Sequence, residues 1–124
     1  MLKILIADDD RLIRILLENF LRNAGHAVFA ASNGREAFEI AQKHDIDLAL
    51  MDMNMPELDG WTATLLIRDR FDNRIEVVAV TAFDLPGDRA RAAAAGCTRF
   101  LAKPIDVDSL AETIATFTND RAGR

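Results

Sequence analysis

Apolar runs and amphipathic helical patterns alternate along this chain. The apolar runs are short and nearly uninterrupted, which is typical of strands that are buried on both faces of a sheet. Between them, apolar residues recur with the period of a helix. Strict alternation of such units predicts a parallel α/β sheet with helices on both faces. The predicted strands are Leu2 to Ala7, Ala27 to Ala31, Asp47 to Met51, Val77 to Thr81 and Thr98 to Ala102.

A helix is predicted after each of these strands. The first ends near Gly25, a residue type that commonly follows a helix C-terminus, and the second follows Ser32-Asn33-Gly34, which offers N-cap side chains. We expect one domain over residues 1–118 and a short polar tail over 119–124, with the residues after Phe117 frayed. The helices carry Leu12 to Leu21, Ala37 to Ala41, Trp61 with Leu65 and Leu66, Asp84 to Ala95, and Val107 to Phe117.

Composition and charge limit the class of protein. Half of the 124 residues are hydrophobic, and the net charge of −5 argues against a nucleic-acid binder that relies on a basic patch. No apolar stretch approaches the roughly 18–20 residues of a membrane span. The single cysteine, Cys97, excludes a disulfide framework, and we interpret it as an inert structural thiol. We expect a cytoplasmic protein, with a monomer as the default, and interpret His26 and His44 as surface residues.

The informative polar residues lie where the predicted strands end. In an open parallel sheet, ligands bind outside the carboxyl ends of the strands. Polar side chains that are far apart in the sequence therefore converge on one edge. They are Asp8, Asp9 and Asp10 after the first strand, Asp52 after the third, Thr81 at the end of the fourth and Lys103 after the fifth.

Carboxylates gathered at one edge repel one another unless a cation lies between them. Mg²⁺ suits such a site, because it prefers oxygen ligands and is typically held by one or two carboxylates, water and phosphate. The chain offers no set of histidines and thiolates for zinc. An aspartate beside Mg²⁺ can attack phosphorus and form an acyl phosphate. Lys103 and Thr81 would then supply a cation and a hydroxyl donor for the developing charge.

These motifs, in this order, resemble the receiver domain of two-component response regulators over nearly the whole chain, from about Leu2 to Phe117. The resemblance implies a flavodoxin-like, doubly wound sheet of five parallel strands in the order 2-1-3-4-5. The matching stretches are Ile4-Leu5-Ile6-Ala7-Asp8-Asp9-Asp10, Leu48-Ala49-Leu50-Met51-Asp52-Met53-Asn54-Met55-Pro56, Asp59-Gly60, Val80-Thr81-Ala82 and Phe100-Leu101-Ala102-Lys103-Pro104.

The resemblance also implies the chemistry of the site. Asp52 would accept a phosphoryl group from a phosphohistidine on a sensor histidine kinase or a histidine phosphotransfer protein. Asp8, Asp9, Asp52 and the backbone carbonyl of Asn54 would hold Mg²⁺. Lys103 would pair with a phosphoryl oxygen, and its bond to the following proline is commonly cis in the family.

A conformational switch is implied as well. Thr81 would move toward the phosphoryl group and Phe100 would move inward, which changes the surface of the fourth helix, fifth strand and fifth helix. Phe83 would lie over the phosphoryl group and slow its hydrolysis, or would simply be a partly exposed loop aromatic.

Around the rim of the acidic pocket, the residues expected to contact the phosphodonor are Arg11, Ile15, Pro104 and Ile105.

Three other classes share parts of this pattern. A magnesium-dependent phosphatase would need a second acid two residues after its nucleophile, where Asn54 stands. A flavodoxin-like electron carrier would need a phosphate cradle in the first loop, which here holds Asp8, Asp9 and Asp10. A phosphorylation-independent receiver-like adaptor usually lacks an acid, the threonine or the lysine, and all are present here. We expect a signalling switch rather than an enzyme, one that catalyses only its own phosphorylation and dephosphorylation. The downstream target is not named by the sequence.

Overall fold

The structure is a computed structural model that describes residues 1–55, 57–72, 74–81 and 86–122. Strands and helices alternate along these residues, as the apolar pattern predicts. The elements are β1 (Lys3–Ala7), α1 (Arg11–Asn23), β2 (Ala27–Ala31), α2 (Gly34–Lys43), β3 (Leu48–Asp52), α3 (Gly60–Phe71), β4 (Glu76–Thr81), α4 (Pro86–Ala95), β5 (Arg99–Ala102) and α5 (Val107–Ala122).

The strands form one parallel sheet in the order β2-β1-β3-β4-β5, which confirms the predicted topology. Strand β3 is buried along its whole length, and β1 and β4 are buried except at their first residue. Apolar side chains on both faces of these central strands are the reason that their sequences run without polar interruption. The carboxyl ends of β1, β3, β4 and β5 consequently lie along one edge.

Two apolar clusters cover the two faces of the sheet. One joins side chains of α2, α3 and α4 to one face, and the other joins α1 and α5 to the opposite face. The helices therefore lie on both sides of the sheet, as predicted. Alternate residues of a strand enter different clusters: Leu5 belongs to the first and Ile4 and Ile6 to the second.

Helix ends follow the local chemistry of the sequence. Asp10, Asn33 and Asp59 are the N-caps of α1, α2 and α3, and each side chain accepts a hydrogen bond from a backbone N–H of the first turn. Gly25 follows the C-cap of α1 with φ of +95°, a conformation that disfavours other residues. The cap predictions for Asn33 and Gly25 are thus confirmed.

The structure corrects several details. Helix α5 continues to Ala122, so the expectation of fraying after Phe117 is wrong for 118–122, and the helix includes most of the segment predicted as a tail. Helix α4 begins at Pro86, and the two residues predicted before it lie outside the described residues. On α3, Leu65 and Leu66 are exposed, while Ala63 and Ile67 face the core.

His26 is also placed differently from its interpretation as a surface residue. Its Nδ1 accepts a hydrogen bond of 3.1 Å from the backbone N–H of Leu2, and the ring is half-buried. His44 is exposed and stacks on Phe29. Among the described helices, none is both long and apolar enough to cross a membrane.

Candidate phosphoryl-acceptor site

The parallel register brings the predicted site residues to one edge of the sheet. Ala7 of β1 pairs with Met51 of β3, so the next residues, Asp8 and Asp52, lie side by side. Thr81 ends β4 and pairs with Ala102, which directly precedes Lys103. The backbone N–H of Lys103 donates to the carbonyl of Thr81 at 2.8 Å. Strand ends, rather than sequence proximity, assemble the site.

Three carboxylates form a cluster at this edge. One carboxylate oxygen from each of Asp8, Asp9 and Asp52 lies within 4.8 Å of the others. Asp8 and Asp52 are each only 2% exposed, whereas Asp9 is exposed to solvent. A buried anion is unfavourable unless it is paired or hydrogen-bonded, so the two buried carboxylates require positive charge or donors nearby.

Lys103 supplies that positive charge. Its ammonium nitrogen lies 2.8 Å from Oδ2 of Asp52 and 3.4 Å from Oδ2 of Asp8. Burial raises the pKa of Asp52, although the hydrogen bond from Lys103 partly offsets this effect. Burial acts to lower the pKa of Lys103, but its hydrogen bond to Asp52 and the charges of both carboxylates outweigh burial and raise it. Lys103 therefore remains a cation between the two acids.

The backbone fixes the direction of the Asp52 side chain. The N–H of Asn54 donates to Oδ1 of Asp52 at 3.1 Å, which leaves Lys103 on the other oxygen. Gly60, the first residue of α3, packs against the backbone of Asp52: a Cβ at this glycine would clash with the Asp52 carbonyl oxygen and lie 2.7 Å from Cα of Met53. The Asp59-Gly60 pair thus starts α3 directly behind the acidic site.

Thr81 and Phe100 line one small cavity between the sheet and α4. Thr81 is buried at the end of β4, and Phe100 on β5 is half-buried with the Arg89 guanidinium 5.5 Å from its ring centre. Asp88 also lines this cavity, and its Oδ2 is buried. The two predicted switch residues are therefore neighbours across one space. Phe83, the predicted shield, lies outside the described residues.

Two positioning contacts were not predicted from the sequence. The backbone N–H of Asp10 donates to the Asp8 carboxylate at 2.8 Å. The Asp10 side chain caps α1 and does not belong to the cluster of Asp8, Asp9 and Asp52. Arg14 on α1 donates to the backbone carbonyl of Asp8 at 2.8 Å. Because Asp10 stands directly before the helical pattern of α1, its role as N-cap could have been predicted. No feature of the sequence indicated the contact of Arg14 with Asp8.

The four residues predicted to contact a phosphodonor lie on the segments that follow β1 and β5. Arg11 is exposed at the start of α1, and Ile15, one turn later, is 41% exposed. Pro104 is exposed and follows Lys103 through a cis peptide bond. Ile105 is half-buried and packs against the apolar cluster beneath α1 and α5, so part of its surface serves the core.

Cys97 is not part of this site. It is 4% exposed, and burial raises the pKa of its thiol. Its Sγ lies 3.8 Å from the hydroxyl oxygen of the fully buried Thr64. The geometry agrees with an inert structural thiol.

The strand order, with buried carboxylates and a lysine at the carboxyl edge of the parallel sheet, defines a doubly wound, flavodoxin-like α/β protein with an acidic site. Residues 4–115 match the family model described as the response regulator receiver domain. The chain belongs to that family. The structural neighbours have the same chemotaxis-regulator-like fold.

Three similar proteins illustrate the relationship. The polar-differentiation response regulator DivK of Brucella anthropi is 36% identical over 118 residues, which cover 94% of this chain and 96% of DivK. The chemotaxis protein CheY4 of Vibrio cholerae superposes with a TM-score of 0.89 at 30% identity, covering 94% of this chain and 98% of CheY4. The receiver domain of Ssk1 from Saccharomyces cerevisiae, solved with the histidine phosphotransfer protein Ypd1, has a TM-score of 0.88 at 30% identity, covering 94% of this chain and 88% of that one.

Proposed function

We propose that Asp52 accepts a phosphoryl group in a Mg²⁺-dependent reaction, and that the acyl phosphate switches a signalling surface of this receiver domain. The observation that carries the proposal is the pairing of a buried aspartate, Asp52, with the half-buried Lys103 beside two further carboxylates. Receiver domains are signalling switches rather than conventional enzymes. On this proposal the chain catalyses only its own phosphorylation and dephosphorylation.

The residues present fit a magnesium ion. Asp8, Asp9 and Asp52 offer oxygen ligands within 4.8 Å of one another, and the cluster includes neither histidine nor cysteine. Hard oxygen donors and partial exposure, through Asp9, suit an ion that keeps several water ligands. We assign the backbone carbonyl of Asn54 as a further ligand, by resemblance to the family. The bound ion would supply positive charge next to the phosphoryl oxygens.

In the proposed reaction, the Asp52 carboxylate is the nucleophile. A carboxylate oxygen of Asp52 forms the new bond to phosphorus, and the bond from phosphorus to the donor imidazole nitrogen breaks. The imidazole leaves with the bonding electron pair and takes a proton. Negative charge on the transferred phosphoryl oxygens is stabilised by the ammonium of Lys103 and by the hydroxyl of Thr81.

Phosphorylation would also change the conformations of Thr81 and Phe100, which line the same cavity. When Thr81 turns its hydroxyl toward the phosphoryl group, it vacates part of that cavity, and Phe100 moves inward. Phe100 has no hydroxyl, so a partner that recognises this movement reads packing rather than a hydrogen bond at that position. The surface that changes comprises α4, β5 and α5.

The phosphodonor would be a sensor histidine kinase or a histidine phosphotransfer protein. The yeast receiver domain of Ssk1, which this chain resembles, was solved with the phosphotransfer protein Ypd1. Arg11, Ile15, Pro104 and Ile105 lie on the segments that follow β1 and β5, and on this proposal they would contact the donor. We place the protein in the cytoplasm, where its single thiol would stay reduced.

Intact mass after incubation with acetyl phosphate tests this function. Wild-type protein should gain one phosphoryl mass in the presence of Mg²⁺ and none after chelation, and Asp52→Asn should gain none in either condition. Lys3→Met, at the opposite end of β1, is a control that should behave like wild type. Folded wild-type protein that gains no mass would instead favour the phosphorylation-independent adaptor.

A further inference from the structure

Asp9 differs from the other two acids of the carboxylate cluster, because its side chain is exposed to solvent. The Asp52 carboxylate accepts hydrogen bonds from Asn54 and Lys103. The Asp8 carboxylate lies against the same lysine. Within the part of the chain that the structure describes, the Asp9 carboxylate has no hydrogen bond or ion pair. Its position therefore depends on the backbone on either side of it.

Each of the two peptide groups that flank Asp9 is held by one hydrogen bond. On the C-terminal side, the backbone N–H of Asp10 donates to Oδ1 of Asp8 at 2.8 Å. On the N-terminal side, the backbone carbonyl of Asp8 accepts a hydrogen bond of 2.8 Å from Nη1 of Arg14. A peptide group is planar, so a hydrogen bond to its carbonyl or its N–H restrains the whole unit. Together these two bonds set the direction in which the Asp9 side chain leaves the backbone.

Arg14 is itself held in place in the first turns of α1. Its backbone N–H donates to the carbonyl of Asp10 at 3.0 Å, and its side chain is half-buried. Its charge also acts on Glu36 of α2: hydrogen bonds from Ser32 are the main cause of the lowered pKa of Glu36, and the Arg14 guanidinium lowers it further. The guanidinium thus holds the loop after β1 from a fixed point on a helix.

We propose that Arg14 is a positioning residue for the divalent ion, and that it acts through Asp9. By holding the peptide group between Asp8 and Asp9, the guanidinium keeps the exposed carboxylate beside the two buried ones before the ion binds. Without this bond, ion binding would have to order the peptide group, which costs conformational entropy. Groups that orient the ligands of a metal typically change its affinity by about 10- to 100-fold.

Calorimetric Mg²⁺ titration of Arg14→Met tests this role. The variant keeps an unbranched side chain but loses the guanidinium, so its dissociation constant for Mg²⁺ should rise about tenfold. A purely electrostatic effect would have the opposite sign, since removal of a cation near carboxylates favours Mg²⁺. Arg22→Met is the matched control, because it removes the same charge and a hydrogen bond to the carbonyl of Val28 from the C-terminal end of α1. This control should bind Mg²⁺ like wild type.

Combining Arg14→Met with Asp9→Asn separates the positioning of Asp9 from a general effect on the fold. Asp9→Asn alone should weaken Mg²⁺ binding, because a charged ligand is lost. If Arg14 acts through Asp9, adding Arg14→Met should weaken binding further by only ~2-fold or less. A general loosening of the fold would instead give the full loss again. Should Arg14→Met fail to fold, Arg14→Lys replaces it: a lysine lacks the planar guanidinium, and the variant should bind Mg²⁺ more weakly than wild type.

Mg²⁺ binding by Arg14→Met that is unchanged or tighter would overturn this role, and so would equal losses with and without Asp9→Asn. The role of Arg14 rests on the proposed function, and the wild-type titration distinguishes the two. Wild-type protein that binds no Mg²⁺ would contradict the proposed function itself. Wild-type protein that binds Mg²⁺ and is phosphorylated, beside an Arg14→Met variant that binds the ion equally well, would contradict the role of Arg14 alone.

Discussion

The ammonium nitrogen of Lys103 lies 2.8 Å from Oδ2 of Asp52, the predicted phosphoryl acceptor. It also lies 3.4 Å from Asp8, so one cation is shared by two carboxylates that are almost inaccessible to solvent. Lys103 stabilises the acidic cluster, and it also offsets the negative charge that would attract a divalent ion. Lys103 should therefore weaken metal binding and accelerate phosphoryl transfer.

Lys103→Met should strengthen Mg²⁺ binding about tenfold, because a positive charge a few ångströms from the ligands is removed. The same change should slow phosphorylation by acetyl phosphate on the order of 10²-fold, since a cation facing the phosphoryl oxygens is lost. Calorimetric Mg²⁺ titration and the rate of mass gain measure the two effects. Lys3→Met should change neither. Equal or weaker Mg²⁺ binding by Lys103→Met would contradict this assignment.

Gly60→Ala should destabilise the fold by about 1–3 kcal/mol, because its Cβ would overlap the backbone of Asp52 and Met53. Gly87→Ala provides the contrast. Gly87 lies in α4, nothing approaches its Cβ position within 4 Å, and an alanine there should stabilise the helix by roughly 0.5–1 kcal/mol. Urea unfolding measures both free energies. Similar values for the two variants would show that the close packing of α3 on β3 is not required.

Stability should decline in mild acid because of His26. Burial, followed by the charge of the N-terminus, lowers the pKa of His26 below its ordinary value of 6.5. The neutral ring is therefore the form that the fold favours, and its Nδ1 must be unprotonated to accept from Leu2. This stability is present above about pH 6.5 and is lost as pH falls through the lowered pKa.

Urea midpoints measured between about pH 7.5 and about pH 5.5 test the role of His26. His26→Ala should lower stability by about 1 kcal/mol at the upper pH and flatten the acid decline. His44→Ala leaves the Leu2 hydrogen bond intact and should retain the decline. If the stability of His26→Ala declined in acid as much as that of the wild type, groups other than His26 would be responsible for the decline.

Cys97 should be unreactive in the folded protein. Burial raises the pKa of its thiol and also blocks access by a reagent. A thiol reagent should modify native protein on the order of 10²-fold more slowly than urea-unfolded protein, at a rate limited by opening of the fold. Equal rates in the two states would mean that the thiol is accessible without unfolding.

The sheet and the site were predictable from the sequence for a local reason and a topological one. All side chains of an uninterrupted apolar run such as Leu48 to Met51 can be buried in a strand only when the sheet is covered on both faces. Once the strands are parallel, the polar residues that follow them must share an edge, which brings Asp8, Asp52 and Lys103 together.

Features that depend on tertiary partners were not predictable in this way. The C-terminal turns of α5 look like a polar tail in the sequence. In the structure Arg121 pairs with Asp47, 74 positions away, and Asp120 pairs with Arg99 of β5. The role of His26 depends likewise on Leu2, which directly precedes β1 and is 24 positions away. No local pattern encodes such contacts.

The position of the phosphoryl group is the most direct test of the central claim. Protein phosphorylated with acetyl phosphate and Mg²⁺ can be reduced with borohydride, which converts an aspartyl phosphate to homoserine, and then sequenced by tandem mass spectrometry. We predict homoserine at position 52 alone, and none after chelation of Mg²⁺. Homoserine at position 8 or 9, or phosphorylation that leaves position 52 unmodified, would contradict the account.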